Sequence, residues 1–264
     1  MEQEAVVISG ISKSPILIDS KPILNLVAEK DSEATIIEQA NSEESRTINI
    51  LLKENAKINY ILINNQKNLA IIKRVAILEK NAQLNQIDCI LGNDNVSLSS
   101  ETLLQGEHSE SNYQSIILGC NEQVFNLDLS SNHLASNTKS NMLTRIVLND
   151  KAVSNHKGLV RIDKKTRNCL GYQKSETILL SEDARANSIP NLEIENNDVS
   201  CTHGATISQL DDSKIFYLTS RGISEIEAKK IMIEGFFSSI LNHLSDNLKE
   251  EVENSIQERL LRVK

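Results

Sequence analysis

The chain has 264 residues, a formal charge of −8 and a pI near 5.3. This acidic balance disfavours nucleic acid and anionic membrane surfaces as partners. No apolar run of roughly 18 residues is present, so no membrane span is expected. The first ten residues are acidic and lack an apolar stretch, which argues against a secretory signal. The four cysteines contain no Cys-x-x-Cys pair and are most simply reduced thiols of a cytoplasmic protein. With four Tyr, four Phe and no Trp, the core must be built from Ile, Leu and Val, which favour strands.

Apolar segments of strand length follow one another from residue 47 onward. They are Thr47–Leu52, Ile58–Ile63, Leu84–Ile90, Ile116–Leu118, Val124–Leu129, Leu143–Leu148, Leu159–Ile162, Ile178–Leu180 and Leu192–Ile194. One pattern recurs four times: an apolar pair, three mostly polar residues, an alanine and, three residues later, an asparagine. Its alanines are Ala56, Ala82, Ala152 and Ala184. Two of the intervals between them are near 30 residues and the middle one is more than twice as long, leaving room for less regular coils around Val96–Leu104 and Ser115–Leu129. Such a period indicates a solenoid. The absence of Asn-Gly and Asp-Gly dipeptides counts against a hairpin-built sandwich. The expected fold is a mainly β chain: a parallel β-helix core over residues 1–215, irregular over about the first fifteen, and a small α-helical subdomain over residues 216–264. The four alanines are expected at equivalent turns.

Residues 199–209 read as a strand with Cys201 and His203 on one face, a soft and a borderline metal ligand about 6.5–7 Å apart along the chain. A short loop containing Asp211 and Asp212 follows. Ser224 and Glu227 match a capping box, and Ala228, Ile231, Met232, Phe236, Ile240 and Leu244 form an apolar stripe behind it. After a polar break at 245–247, a second helix from about Leu248 aligns Leu248, Val252, Ile256 and Leu260. Both helices are expected to pack on each other and on the end of the solenoid, which needs a cap. His108, His156 and His243 are most simply surface residues, and Cys89, Cys120 and Cys169 filler inside the solenoid.

Cys201-x-His203-Gly-Ala-Thr, then Phe216-Tyr-Leu-x-Ser-Arg-Gly-Ile-Ser224, then Glu227-Ala-x-x-x-x-Ile233-Glu-Gly-Phe236 resembles the C-terminal part of the SufB/SufD family, scaffold components of an iron–sulfur cluster assembly machine. The resemblance extends back through Asn132-His133, Asn137-Thr138-x-Ser140, Gly158-x-Val160 and Pro190-x-Leu192-Glu193-Ile194. It covers about residues 100–264; residues 15–100 match only in general character. Many family members carry an N-terminal helical domain to which the resemblance does not extend. Where SufB-like chains place a cysteine before the Leu-Leu turn this chain has Ser175, and where they follow the histidine with Glu it has Gly204, so the likeness is to SufD.

The family implies a right-handed β-helix, a non-catalytic scaffold role, pairing with a SufB-like subunit and docking of a SufC-like ATPase on the C-terminal helices, with a homodimer left open in isolation. It implies Cys201 and His203 as ligands of a nascent iron–sulfur cluster, held transiently at a shared interface and not stably by this chain alone, since four ligands are usual. A β-helix carbohydrate-active enzyme, such as a polysaccharide lyase, is the alternative. Eight aromatics leave few platforms for sugars, and no P-loop motif is written here. A hexapeptide-repeat acyltransferase would need a six-residue apolar period that is missing.

Overall fold

A computed structural model describes residues 5–19, 21–39, 45–64, 70–92 and 95–260. Its first strands are β1 (Ala5–Ile8), β2 (Ile16–Asp19), β3 (Ile23–Ala28), β4 (Glu33–Gln39), β5 (Arg46–Leu52) and β6 (Lys57–Asn64). They continue as β7 (Ala70–Leu78), β8 (Gln83–Leu91), β9 (Asn95–Leu104), β10 (Glu110–Gly119) and β11 (Val124–His133). The last are β12 (Lys139–Leu148), β13 (Val153–Ile162), β14 (Cys169–Leu179), β15 (Arg185–Ile194) and β16 (Val199–Gln209). Three helices follow: α1 (Asp212–Ser220), α2 (Glu225–Leu241) and α3 (Asp246–Leu260). The expected division at 215/216 falls inside α1.

All strand pairing is parallel between strands two apart in sequence, so the odd strands form one eight-stranded sheet and the even strands another. The chain alternates between the two sheets, each odd–even pair closing one rung of a β-solenoid. Strands lengthen from four residues in β1 to 11 in β16. The interval between stacked positions grows with them, from 24 residues for Asp31 to Asn55 to 31 for Asn137 to Asn168. The stretch between Ala82 and Ala152 thus holds five full strands, β8 to β12, where less regular coils were expected around β9, β10 and β11.

The four alanines are all buried, but at two corners rather than one. Ala56 and Ala82 enter the even sheet before β6 and β8. In register with them stand Ser32, Ser109, Thr138 and Cys169, all small and buried. Ala152 and Ala184 enter the odd sheet before β13 and β15. The two corners use different turns. Ala56 N bonds Lys53 O with positive φ at the third turn residue, Asn55 (61°); Ala152 N bonds Asn149 O with positive φ at the second, Asp150 (55°). One spelling therefore serves two backbone geometries. At the first corner Asp31, Asn55, Asn81, His108, Asn137 and Asn168 all adopt this left-handed conformation, which Asn and Asp tolerate best. Their side chains form ladder bonds, Asn55 to Asp31 at 2.7 Å and Asn81 to Asn55 at 2.8 Å.

Inward-facing Leu, Ile and Val of both sheets make the main core. Within it lie buried charges that the apolar reading of the interior missed. Arg74 holds Asp88 through two bonds of 2.9 Å, Tyr113 donates to Asp88 at 2.9 Å, and Glu38 pairs with Arg46 and Tyr60. Burial pushes the Tyr60 hydroxyl up to about 12, and it opposes the charge on Arg74, but the Asp88 carboxylate holds that guanidinium firmly protonated. Pairing of this quality is what permits charge in such an interior.

A second core lies outside the even sheet. Ile61, Ile87, Cys89, Ile116, Leu118 and Cys120 meet Ile233, Phe237, Ile240, Val252 and Ile256 of α2 and α3. With both faces covered, β10 is an almost continuous buried run, while β9 alternates because its outer face meets solvent. Cys89 and Cys120 belong to this outer core, not to the solenoid interior; Cys169 is inside as expected. The helices therefore cover a flank, not the end of the solenoid. Ser224 caps α2 as expected, accepting from Glu227 N, but its buried line runs through Ala228, Ile233, Phe237 and Ile240, leaving Ile231 exposed. Among the described residues no helix is long and apolar enough to cross a membrane.

Two measurements test this account. Ala82→Leu places a large side chain at a closed corner and is expected to cost about 1–3 kcal/mol by overpacking, read as a lower denaturation midpoint at unchanged slope. His133 and His156 are both buried, and burial lowers each from 6.5 to about 4. A group depressed on folding binds its proton more readily in the unfolded chain, so stability is present above pH 6.5 and falls as the pH drops toward 4. The loss approaches on the order of 3 kcal/mol per histidine. His133→Gln with His156→Gln is expected to flatten the pH dependence of the midpoint across that window.

Candidate functional site

Among the described residues the solenoid ends on an uncovered rung. Strand β14 keeps most of its inward residues buried, whereas β15 and β16 have no fully buried residue. Each is the outermost strand of its sheet. In a parallel ladder successive residues bond alternate neighbours. Leu170 N donates to Thr138 O on the β12 side at 2.9 Å, so Gly171 faces β16, and its partner Cys201 bonds away from β14. By the same alternation the backbone groups of Cys201, His203 and Ala205 face the open edge. On β15, Arg185 N donates to Ala152 O at 3.0 Å, so Ala186, Ser188, Leu192 and Ile194 present free amides, interrupted at Pro190, which has none.

Cys201 and His203 lie on the same face of β16. Their register partners on β14 are Gly171 and Gln173, and the row beneath His203 runs back through Gln173, Met142, Tyr113 and Gln86 to Tyr60, all buried. This is the inward row of the even sheet; it opens to solvent at His203 because no further rung follows among the described residues. Cys201 is half-buried and packs against the core. Burial raises its thiol above the ordinary value, the Gly171 backbone N–H opposes that rise, and Cys169 adds to it. His203 is exposed. Ser175 lies beneath Ala205 and is buried with an unpartnered hydroxyl. Among the described residues no three His, Cys, Asp or Glu side chains gather closely enough to hold a metal ion. The rung presents a thiol and an imidazole on one face of its edge strand.

The other histidines separate. His133 is fully buried with Nδ1 2.7 Å from Thr138 Oγ1 and Nε2 2.8 Å from Ser140 Oγ, a packing role. His156 was expected at the surface but points into the interior, 3.3 Å from Ser188 Oγ, because its position on β13 is an inward one. His243 is exposed, with its ring 2.7 Å from Gln114 Oε1, and His108 occupies a corner.

The segment expected as a loop is helix α1. Asp211 is its N-cap, accepting from Ser213 N at 3.0 Å, and Asp212 adds charge to the first turn. An Asp pair followed by Ser and Lys is a helix-start signal, which the solvated-turn reading of Asp211 and Asp212 passed over. α1 has no buried residue; Phe216 is 73% exposed and Tyr217 55%. Ile226 and Ile231 of α2 are also exposed, so the start of the helical segment carries an apolar surface beside the open rung.

Comparisons with known proteins bear on this geometry. A family model described as "SUF system FeS cluster assembly, SufBD core domain" matches residues 20–236. An iron–sulfur cluster assembly SufBD family protein of Mycobacterium leprae is 28% identical over 210 residues, covering 79% of this chain and 24% of that protein. The iron–sulfur cluster assembly protein SufB of Bacillus subtilis is 27% identical over 206 residues, covering 77% of this chain and 44% of that one. A SufBD family protein of a Synechocystis strain is 27% identical over 158 residues, covering 60% of this chain and 33% of that one. The chain spans less than half the length of these curated relatives.

Proposed function

We propose that this chain, which belongs to the SufBD core-domain family of iron–sulfur cluster assembly proteins, acts as a SufD-like, non-catalytic scaffold subunit in the cytoplasm. In this reading it pairs with a SufB-like subunit through the open edges of β15 and β16. A nascent cluster is held transiently at the shared interface, with His203 and Cys201 as this chain's contribution. The observation that carries the reading is the uncovered terminal rung with a thiol and an imidazole one residue apart on its edge strand. Free backbone groups on both edge strands suit a partner that adds strands. Two donors fall short of the four that iron–sulfur clusters usually take, which favours a site completed across the interface. Ser175, in place of the cysteine of SufB-like chains, favours the SufD-like assignment. The exposed apolar surface of Phe216, Tyr217 and Ile226 is the proposed dock for a SufC-like ATPase. The carbohydrate-enzyme alternative has no comparable observation in its favour.

Co-purification with SufB-like and SufC-like subunits tests both contacts. His203→Ala is expected to leave folding and complex formation intact, because the side chain is exposed, and to lower the iron and sulfide recovered per complex sharply. Cys201→Ser should have an equal or smaller effect. Wild-type cluster content in the His203→Ala complex would make the histidine a bystander. For the ATPase, removal of α2 and α3 would strip the outer core from the even sheet, so surface substitution is the cleaner probe. Phe216→Ser with Tyr217→Ser is expected to abolish recovery of the ATPase while pairing with the SufB-like subunit survives; undiminished recovery would place the dock elsewhere.

A further inference from the structure

Gly171 has no side chain where every other member of its row from β4 to β14 has one. The row runs through Ala34, Ile58, Leu84, Ser111 and Ser140, and Cys201 follows it. The missing side chain leaves a slot, and two groups occupy it. A Cβ built on Gly171 would lie 2.7 Å from Cys201 Sγ and 2.7 Å from Val160 Cγ1, which reaches across from β13. Carbon and sulfur in contact sit well beyond that separation, so sulfur and a β-carbon cannot share the space. The Cys201 thiol is thus seated back over the rung below, although the strand that bears it lies at the open edge. Cβ directions alternate along β16 and fix only which face Cys201 uses; its seat on that face is set by the neighbouring rung.

We propose that Gly171 is the positioning residue for Cys201: its missing side chain provides the seat that shelters the thiol in the free subunit. The proposal rests on the reading of Cys201 as part of the interface site and adds how that thiol is held. A turn about χ1 is the only internal motion needed to move the sulfur out of the slot. The two positions differ in what they offer a partner: seated, the thiol is shielded against Val160 and the core; unseated, it stands at the edge beside His203.

The chain supplies its own controls, because Cys89, Cys120 and Cys169 are buried. The purified free chain is treated with iodoacetamide at one fixed pH, and modification at each cysteine is followed by peptide mass spectrometry. Wild type is expected to react slowly at Cys201. In Gly171→Ala, Cys201 is expected to react at least about tenfold faster, while the other three stay at wild-type rates. General loosening of the fold would raise all four together. In that event Gly171→Ala is combined with Val160→Ala, which removes the methyl contact and leaves only the sulfur to be displaced. Selective acceleration at Cys201 in that pair supports the seat. A Cys201 rate at the wild-type level in Gly171→Ala, or no selectivity in the pair, overturns it. No partner or iron is present in this measurement. A failed seat therefore leaves the cluster reading standing, and a failed cluster reading leaves the seat standing.

Discussion

Parallel strands stacked in register oblige each rung to repeat the environment of the rung beneath it. Once the ladder of backbone bonds fixes the register, a residue's row decides whether it is inside, outside or at a corner. The small residues at the even-sheet corner illustrate this. Ser32, Ala56, Ala82, Ser109, Thr138 and Cys169 have little chemistry in common, but each must fit where the chain turns inward. The left-handed Asn and Asp residues beside them follow from the same demand on the backbone. The buried ion pairs obey it too: Arg74 and Asp88 come from opposite sheets, so the interior is tied across as well as stacked along the rungs.

Repetition has to end, and the two ways of ending it divide the molecule's surfaces. Along the flank, α2 and α3 cover the outer face of the even sheet and turn it into a second core. Arg145 reinforces this by bonding Glu176 on β14 and the carbonyl of Phe236 on α2. At the C-terminal end nothing covers β15 and β16 among the described residues. Their backbone groups and the inward row that ends at His203 meet solvent instead. An uncovered rung of ten- and 11-residue strands is a standing template for another chain. Pro190 makes the β15 edge uneven, which restricts the registers in which a partner could add there.

Much of the fold was legible in the sequence. The strand segments, the solenoid period and the two longer helices follow from local apolar pattern, because a strand or helix facing a core must write that pattern into its own residues. The shared face of Cys201 and His203 was legible for the same reason: one intervening residue puts both on one face of any strand. What misled was local similarity without register. The four Ala motifs share a spelling but occupy two corners, since the long middle interval carries the chain from one sheet to the other. The Asp211-Asp212 pair looked like a solvated turn, although a helix start uses the same residues.

The sequence by itself determined that parallel coils form, that the apolar residues of its strand segments alternate, and that a thiol and an imidazole share a strand face. These properties depend on spacing within one segment. Only the tertiary structure decided that the helices lie on a flank, that His156 is buried, that Arg74 meets Asp88, and that the rung bearing Cys201 and His203 is, among the described residues, the last and uncovered one. Each of these depends on which segments become neighbours across tens of residues. That choice is made by the summed burial and hydrogen bonding of the whole stack, and no single segment records it.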